Sequence, residues 1–278
     1  MAINVGNNAL ASDFISSSSG AGDSGKVAKL NSQGKLDSSF GVSDVQEFTA
    51  NGTWTKPTSG TWVLVEMIGG GGSGAASSRA GTAGAPSGVN SIPTGGGGGE
   101  SRVELIPLFL LGATEAVTVG AGGAAVTSTG GPPTNGNNGG QTSLGSLITA
   151  DGGDGGNNAG NDAAGGGVTA TYYNSVKQES GGKADKDVIP SPNTIFSGAG
   201  GGSAFLEQDG SPQSSSVGGT STHAGSGGAG AVSSVVSVTA VSGGVRGGGG
   251  GGAATNQSGG RIATSGAGGR GYIRITVF

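Results

Sequence analysis

The chain has 278 residues, of which 66 are glycine; 32% are hydrophobic and 11% charged, with 13 basic against 17 acidic residues and no cysteine. That leaves too little aliphatic material for a large conventional core, no lysine/arginine cluster of the kind that grips nucleic acid, and neither disulfides nor thiolate metal sites. Low hydrophobicity without high charge also fits poorly with disorder, which normally combines the two.

Glycine comes in bare runs at 69–72, 95–99 and 247–252. Fixing 66 glycines costs roughly 30–60 kcal/mol more than fixing as many alanines, so an ordered chain needs an unusual source of compensation. Collagen is not that source, because the glycines keep no period of three and only nine prolines accompany them. Residues 1–19 show no basic stretch followed by an apolar one, so no signal peptide is expected. No run is long and apolar enough for a membrane helix.

In chain order, residues 1–45 form a first segment. A serine/glycine linker over 16–22 leads to two short apolar pieces, Val27–Leu30 and Leu36–Phe40, around a turn-like Asn31–Gly34. Too small to bury a core alone, this segment reads as a linker or as a docking segment. On the second reading Val27, Leu30, Leu36 and Phe40 are the attachment residues.

From Val45 the pattern changes. Residues 48–57 read as strand, Asn-Gly turn, and a strand ending at Pro57. Thr61–Ile68 is a strong strand, apolar enough to be covered on both faces. Shorter strands are expected over Ser101–Ile106, Glu115–Val119 and Leu144–Thr149. At the far end Ile273, Ile275 and Val277 alternate with Tyr272, Arg274 and Thr276, as one strand with two faces requires. Between 150 and 270, glycine clusters alternate with varied inserts at 168–197, 203–217 and 231–245, without a fixed repeat length.

Strands at both ends of 46–278 with glycine between them predict a mostly β and irregular fold with almost no α-helix: a small antiparallel β frame enclosing a bundle of polyglycine II helices. Such threefold extended helices carry no internal hydrogen bonds and turn their N–H and C=O groups sideways. Without side chains, neighbours can approach and bond on all sides, with Cα–H···O contacts adding to the total. The inserts then become loops at the bundle ends. A flexible glycine tether between small β pieces is the competing reading.

Motifs for chemistry are weak. Gly20–Val27 approaches a phosphate-binding loop but has Val27 where a serine or threonine should meet magnesium. Asp151 and Asp154, in a Gly-rich stretch, hint at a hard cation, but lack tandem glycine-rich calcium repeats and read as solvated turn acids. His223 is the only histidine, which excludes a two-histidine zinc site; no nucleophile elbow surrounds it, and it reads as an exposed loop residue. No carboxylate pair is singled out for glycoside hydrolysis. The expectation is a protein that is not an enzyme and uses no cofactor or metal. Aromatics set among serine, asparagine and glycine resemble antibody loops in their chemistry. Tyr172, Tyr173, Lys177, Phe196 and Phe205 are therefore the candidate receptor-binding residues, the alternative being that the rings cap the bundle.

The order Phe48…Gly52-Thr53-Trp54-Thr55-Lys56-Pro57, strand 63–68 running into Gly69–Gly72, Val117–Gly123, Gly139–Gly145, Ala150–Gly156 and Gly268–Ile275 resembles the glycine-rich domain of bacteriophage tail-fibre and adhesin proteins over about 46–278. Gly25–Phe40 is similar to a short segment near the start of phage fibre and structural proteins. The resemblance implies a virion component, made in the bacterial cytoplasm. Its residues 1–45 would join other virion proteins as a homotrimer or on a trimeric partner, and its loops would contact a host surface protein or glycan. A head-fibre or capsid-decoration protein, with little or no receptor role, is the alternative.

Overall fold

The computed structural model describes residues 14–15, 27–28, 44–79, 92–129, 133–157, 175–179, 191–206, 212–233, 235–256 and 260–278. Nine strands build a frame: β1 (Asp44–Phe48), β2 (Gly52–Thr55), β3 (Trp62–Ile68), β4 (Ser101–Pro107), β5 (Thr114–Thr118), β6 (Thr142–Leu144), β7 (Ile148–Ala150), β8 (Ser175–Glu179) and β9 (Tyr272–Val277). They form two antiparallel sheets, ordered β8-β4-β3-β9-β1 and β7-β6-β5-β2. The last strand lies between β3 and β1, so the two ends of the domain meet inside one sheet. Among the described residues the only helical turn is the 3-10 turn Leu108–Leu110.

The alternation read from the sequence sets the frame core. Ile273, Ile275 and Val277 of β9 are buried with Val63, Val65, Met67 and Ile106 of the same sheet, against Trp54, Val117, Leu144 and Ile148 of the other. Each such aliphatic side chain contributes about 1.5–3 kcal/mol. A buried ion pair within β4 is tied to the facing sheet: Arg102 Nε donates to Glu104 Oε1 at 2.6 Å, and the same guanidinium donates to the Thr149 carbonyl across the core at 2.8 Å. Two expectations need correction. Leu144–Thr149 is not one strand but the hairpin of β6 and β7, pairing Leu144 with Ile148, because Gly145 takes φ +54° and turns the chain. Strand β3 is fully buried on one face, by Val63, Val65 and Met67, and covered unevenly on the other, where Trp62 is 44% exposed, Leu64 and Glu66 are half-buried and Ile68 is buried.

Six frame strands continue directly into extended glycine segments, and the bonding period there changes from two to three. Residues 69, 72 and 75 donate to the carbonyls of 100, 97 and 94; residues 70, 73 and 76 to those of 140, 137 and 134; residues 71 and 74 to those of 269 and 266. The carbonyls of the same stretch accept from 153 and 156, from 123, and from 250 and 253, all at 2.8–3.0 Å. Residues 69–76 thus sit among six neighbouring segments and bond to every one. Residues 247–253 repeat this, bonding to segments around 72–75, 96–99, 199–202, 225–231, 241–244 and 266–269. Only absent side chains allow such proximity: a Cβ on Gly71 would drive into the carbonyl of Gly248, and one on Gly250 into that of Gly266. The three long glycine runs are buried, as expected.

The molecule therefore has two poles. Asp44 pairs with Val277, and Thr61 donates to the Phe278 carbonyl, so the chain enters at the frame end facing away from the bundle. The glycine segments run to the other end, where short strands close them: 253–256 between 76–79 and 231–233, and 263–264 between 127–128 and 238–239. Some of these pairs are parallel, unlike the antiparallel frame. Small side chains fill this end, with Ala76, Ala240, Ala253 and Ala263 buried together.

Candidate functional site

The structure distributes the expected site residues rather than clustering them. Tyr172 and Tyr173 lie outside the described residues, as do Leu30, Leu36 and Phe40; Val27 lies in a two-residue strand parallel to Phe14–Ile15. Lys177 falls not in an end loop but in β8, on the frame edge opposite Val103. Phe205 pairs with Ser214 at the far pole. Phe196 sits at the frame end of the segment that Phe205 ends. Nine residues at an extended rise of roughly 3.1–3.3 Å separate the two by roughly 30 Å, so they do not serve one small site. Of the two acids considered for a cation, Asp151 accepts from the Gln141 amide at 2.7 Å, and Asp154 is exposed with its carbonyl held by the Gly97 N–H.

Phe196 belongs to a groove of about 370 Å³ at the waist, where the outer face of the five-stranded sheet meets the bundle. Two loops meet there. The Thr194 N–H donates to the Thr220 carbonyl, the His223 N–H to the Ile195 carbonyl, both at 2.9 Å, and the Ser221 hydroxyl to the Ser197 carbonyl at 2.8 Å. This zipper stacks the Phe196 and His223 rings at 4.9 Å. Gly225 then donates to the Arg246 carbonyl, tying the loop to the next turn.

Arg246 stands out by its backbone. Its φ of 65° is the only positive value on a non-glycine residue among those described. That conformation costs an L-residue about 1–2 kcal/mol and glycine almost nothing. Glycine neighbours it at 247 and stands two positions before it at 244. The strained turn lays the guanidinium over the Tyr272 ring, 4.1 Å from its centre, an attraction of about 0.5–1 kcal/mol where solvent has access. Burial pushes the Tyr272 phenol above its usual 10.0, and the adjacent Glu47 carboxylate pushes it the same way, against Arg246 and Arg274.

The groove floor is a cross-strand row on the sheet's outer face. Register places Val103 opposite Glu66, Glu66 opposite Arg274, and Arg274 opposite Glu47. Arg274 Nε lies 3.6 Å from Glu47 and 3.9 Å from Glu66, too far for hydrogen bonds, so the two carboxylates retain acceptor capacity. The alternation of β9 did indicate that Tyr272 and Arg274 face away from Ile273. Arg246 and His223 carried only one usable signal: each is an isolated ionisable residue among small neighbours.

A family model described as a glycine-rich domain matches residues 45–278. The chain belongs to that family, and the matched span begins within β1. No curated protein matches the sequence.

Proposed function

We propose that this protein is a non-enzymatic bacteriophage virion fibre or adhesin: residues 1–45 attach it to other virion proteins, and the glycine-rich domain holds host-reading surfaces away from the particle. On this reading the glycine segments are polyglycine II helices, and attachment runs through Val27, Leu30, Leu36 and Phe40 in a homotrimer or on a trimeric partner. The protein is made in the bacterial cytoplasm and works on the assembled virion, meeting a host surface protein or glycan.

The observation that carries the proposal is polarity. The chain enters the domain at the frame pole, beside exposed Phe109, Trp62 and Phe278, an apolar surface of the kind that marks protein contacts. The short strands 76–79, 231–233 and 253–256, in which described glycine segments end, lie at the opposite pole, and the loops joined by Thr194–Thr220 and Ile195–His223 lie at the waist, away from that end. A scaffold built from backbone bonds tolerates varied inserts, because its lattice does not depend on their side chains. This suits a recognition surface that must change while its support does not.

Adsorption competition tests the proposal. Purified protein, added to host cells before phage, should reduce adsorption in a saturable way, and antibody labelling should place it on the tail. Full adsorption at saturating protein, or labelling confined to the capsid, would overturn it in favour of a decoration role.

A further inference from the structure

We infer that the waist groove is a binding site for an anionic sugar, one whose ring carries a carboxylate or a phosphate, with Arg246 as the residue that selects the charge. The inference rests on the surface-recognition reading for its biological setting only; the chemistry stands on the groove itself.

Three observations converge. The first is Arg246 at φ 65°. In a chain that uses glycine 66 times, a glycine here would fold more easily, so the arginine is retained against backbone preference. Residues held in sparsely populated conformations cluster where ligands are clamped. The second is the state of its charge. Its guanidinium rests on the Tyr272 ring, and no carboxylate among the described residues pairs with it. The planar fork is thus left to receive an anion in two-pronged fashion. The third is what surrounds it. The Phe196–His223 stack and Val103 provide apolar wall, while Glu47 and Glu66 keep acceptor capacity for hydroxyl groups. A groove with an aromatic and aliphatic wall on one side and arginine and carboxylate groups on the other, within the usual volume range of small-ligand sites, matches a sugar ring with hydroxyls and one charged substituent. A neutral sugar would leave the guanidinium unmatched; a simple anion would leave the acceptors and wall unused.

The test uses the full chain and three probes: a galacturonate tetramer, a glucose-6-phosphate-terminated oligosaccharide, and neutral maltotetraose. Calorimetric titration should show binding of at least one charged probe, weakening as salt rises, and at least tenfold weaker binding of maltotetraose. Whichever charged probe binds more tightly identifies carboxylate or phosphate as the source. In R246G the preferred probe should lose at least tenfold in affinity while the Tm stays level or rises, since glycine relieves the turn. Unchanged affinity in R246G overturns the inference, as does failure of both charged probes to bind the parent protein. If R246G does not fold, R246K decides: it keeps charge and strained backbone but loses the planar fork, and should lose severalfold in affinity, with parental affinity counting against the site. Adsorption competition lost in R246G would join the groove to host recognition. Competition retained there, with oligosaccharide binding abolished, would leave the groove standing and move host reading elsewhere.

Discussion

The frame and the bundle are two solutions to one problem, made by one chain. In the frame, side chains hold two sheets together: Trp54, Met67, Ile106, Leu144, Ile148, Ile273 and Ile275 are almost fully buried, and the hydrophobic effect supplies the stabilisation. In the bundle, side chains would be an obstruction. Residues 69–76 bond through their amides to six neighbours. Each such bond is worth a net of about 0.5–1.5 kcal/mol, and leaving a buried group unmade costs about 1–3 kcal/mol. The frame thus tolerates shape changes that conserve volume, whereas the bundle tolerates no added volume.

The sharpest break of that comparison is a methyl group. Gly71→Ala or Gly250→Ala places a Cβ against backbone that cannot rotate aside. Each should cost more than about 4 kcal/mol, in the exceptional class of single substitutions, with hydrogen exchange losing protection first in 94–100, 247–253 and 266–269. Gly260→Ala is the matched control. Nothing lies within 4 Å of its added Cβ, and only its φ of +72° resists, so about 1–2 kcal/mol is expected. Trp54→Ala, in the frame, should cost about 3–5 kcal/mol by the lost transfer energy and the cavity left behind, read from denaturant midpoints.

A calorimetric measurement separates the halves without mutation. Apolar exposure raises the heat capacity on unfolding and polar exposure lowers it. A chain whose bundle exposes mostly backbone should give a heat-capacity change per residue below the usual ~12–15 cal/mol/K. A value at or above that range would mean that apolar burial dominates the bundle too.

The smallest expected effect is at the junction. Tyr272 has its pKa raised in the folded state, so folded protein holds that proton more tightly than unfolded chain. Its contribution is complete below pH 10 and is lost as pH rises through the folded-state value. Denaturant midpoints should therefore fall more steeply in the parent than in Y272F above pH 10. Parallel curves would show that Tyr272 does not carry the alkaline loss.

Much of the frame was legible because strands with one buried face write a period of two into their side chains. Thr61–Ile68 and Gly271–Val277 matched β3 and β9 to within a residue or so. The β6–β7 hairpin was missed because both strands have only three residues, too few to show alternation, and the deciding turn is one glycine among many. The groove was legible only in part. Phe196 was among the candidate residues, but its neighbours in the groove, His223, Arg246, Tyr272 and Glu47, come from four other places in the chain, and nothing local links them. Phe196 and Phe205 were both candidates as aromatic rings in the inserts; the extended segment between them puts them at different levels of the molecule.

What the residues fix on their own is the material: runs without side chains, whose amides must find partners outside their own segment, bracketed by strands able to close a frame. Which run lies beside which is settled in three dimensions. Glycine carries no side chain with which to encode a neighbour or a register, so every glycine segment offers its neighbours the same donors and acceptors. The choice falls to the strands that anchor six of these segments in the frame and to the loops that return the others. The same assembly brings an arginine, a tyrosine and a histidine from distant turns to one groove.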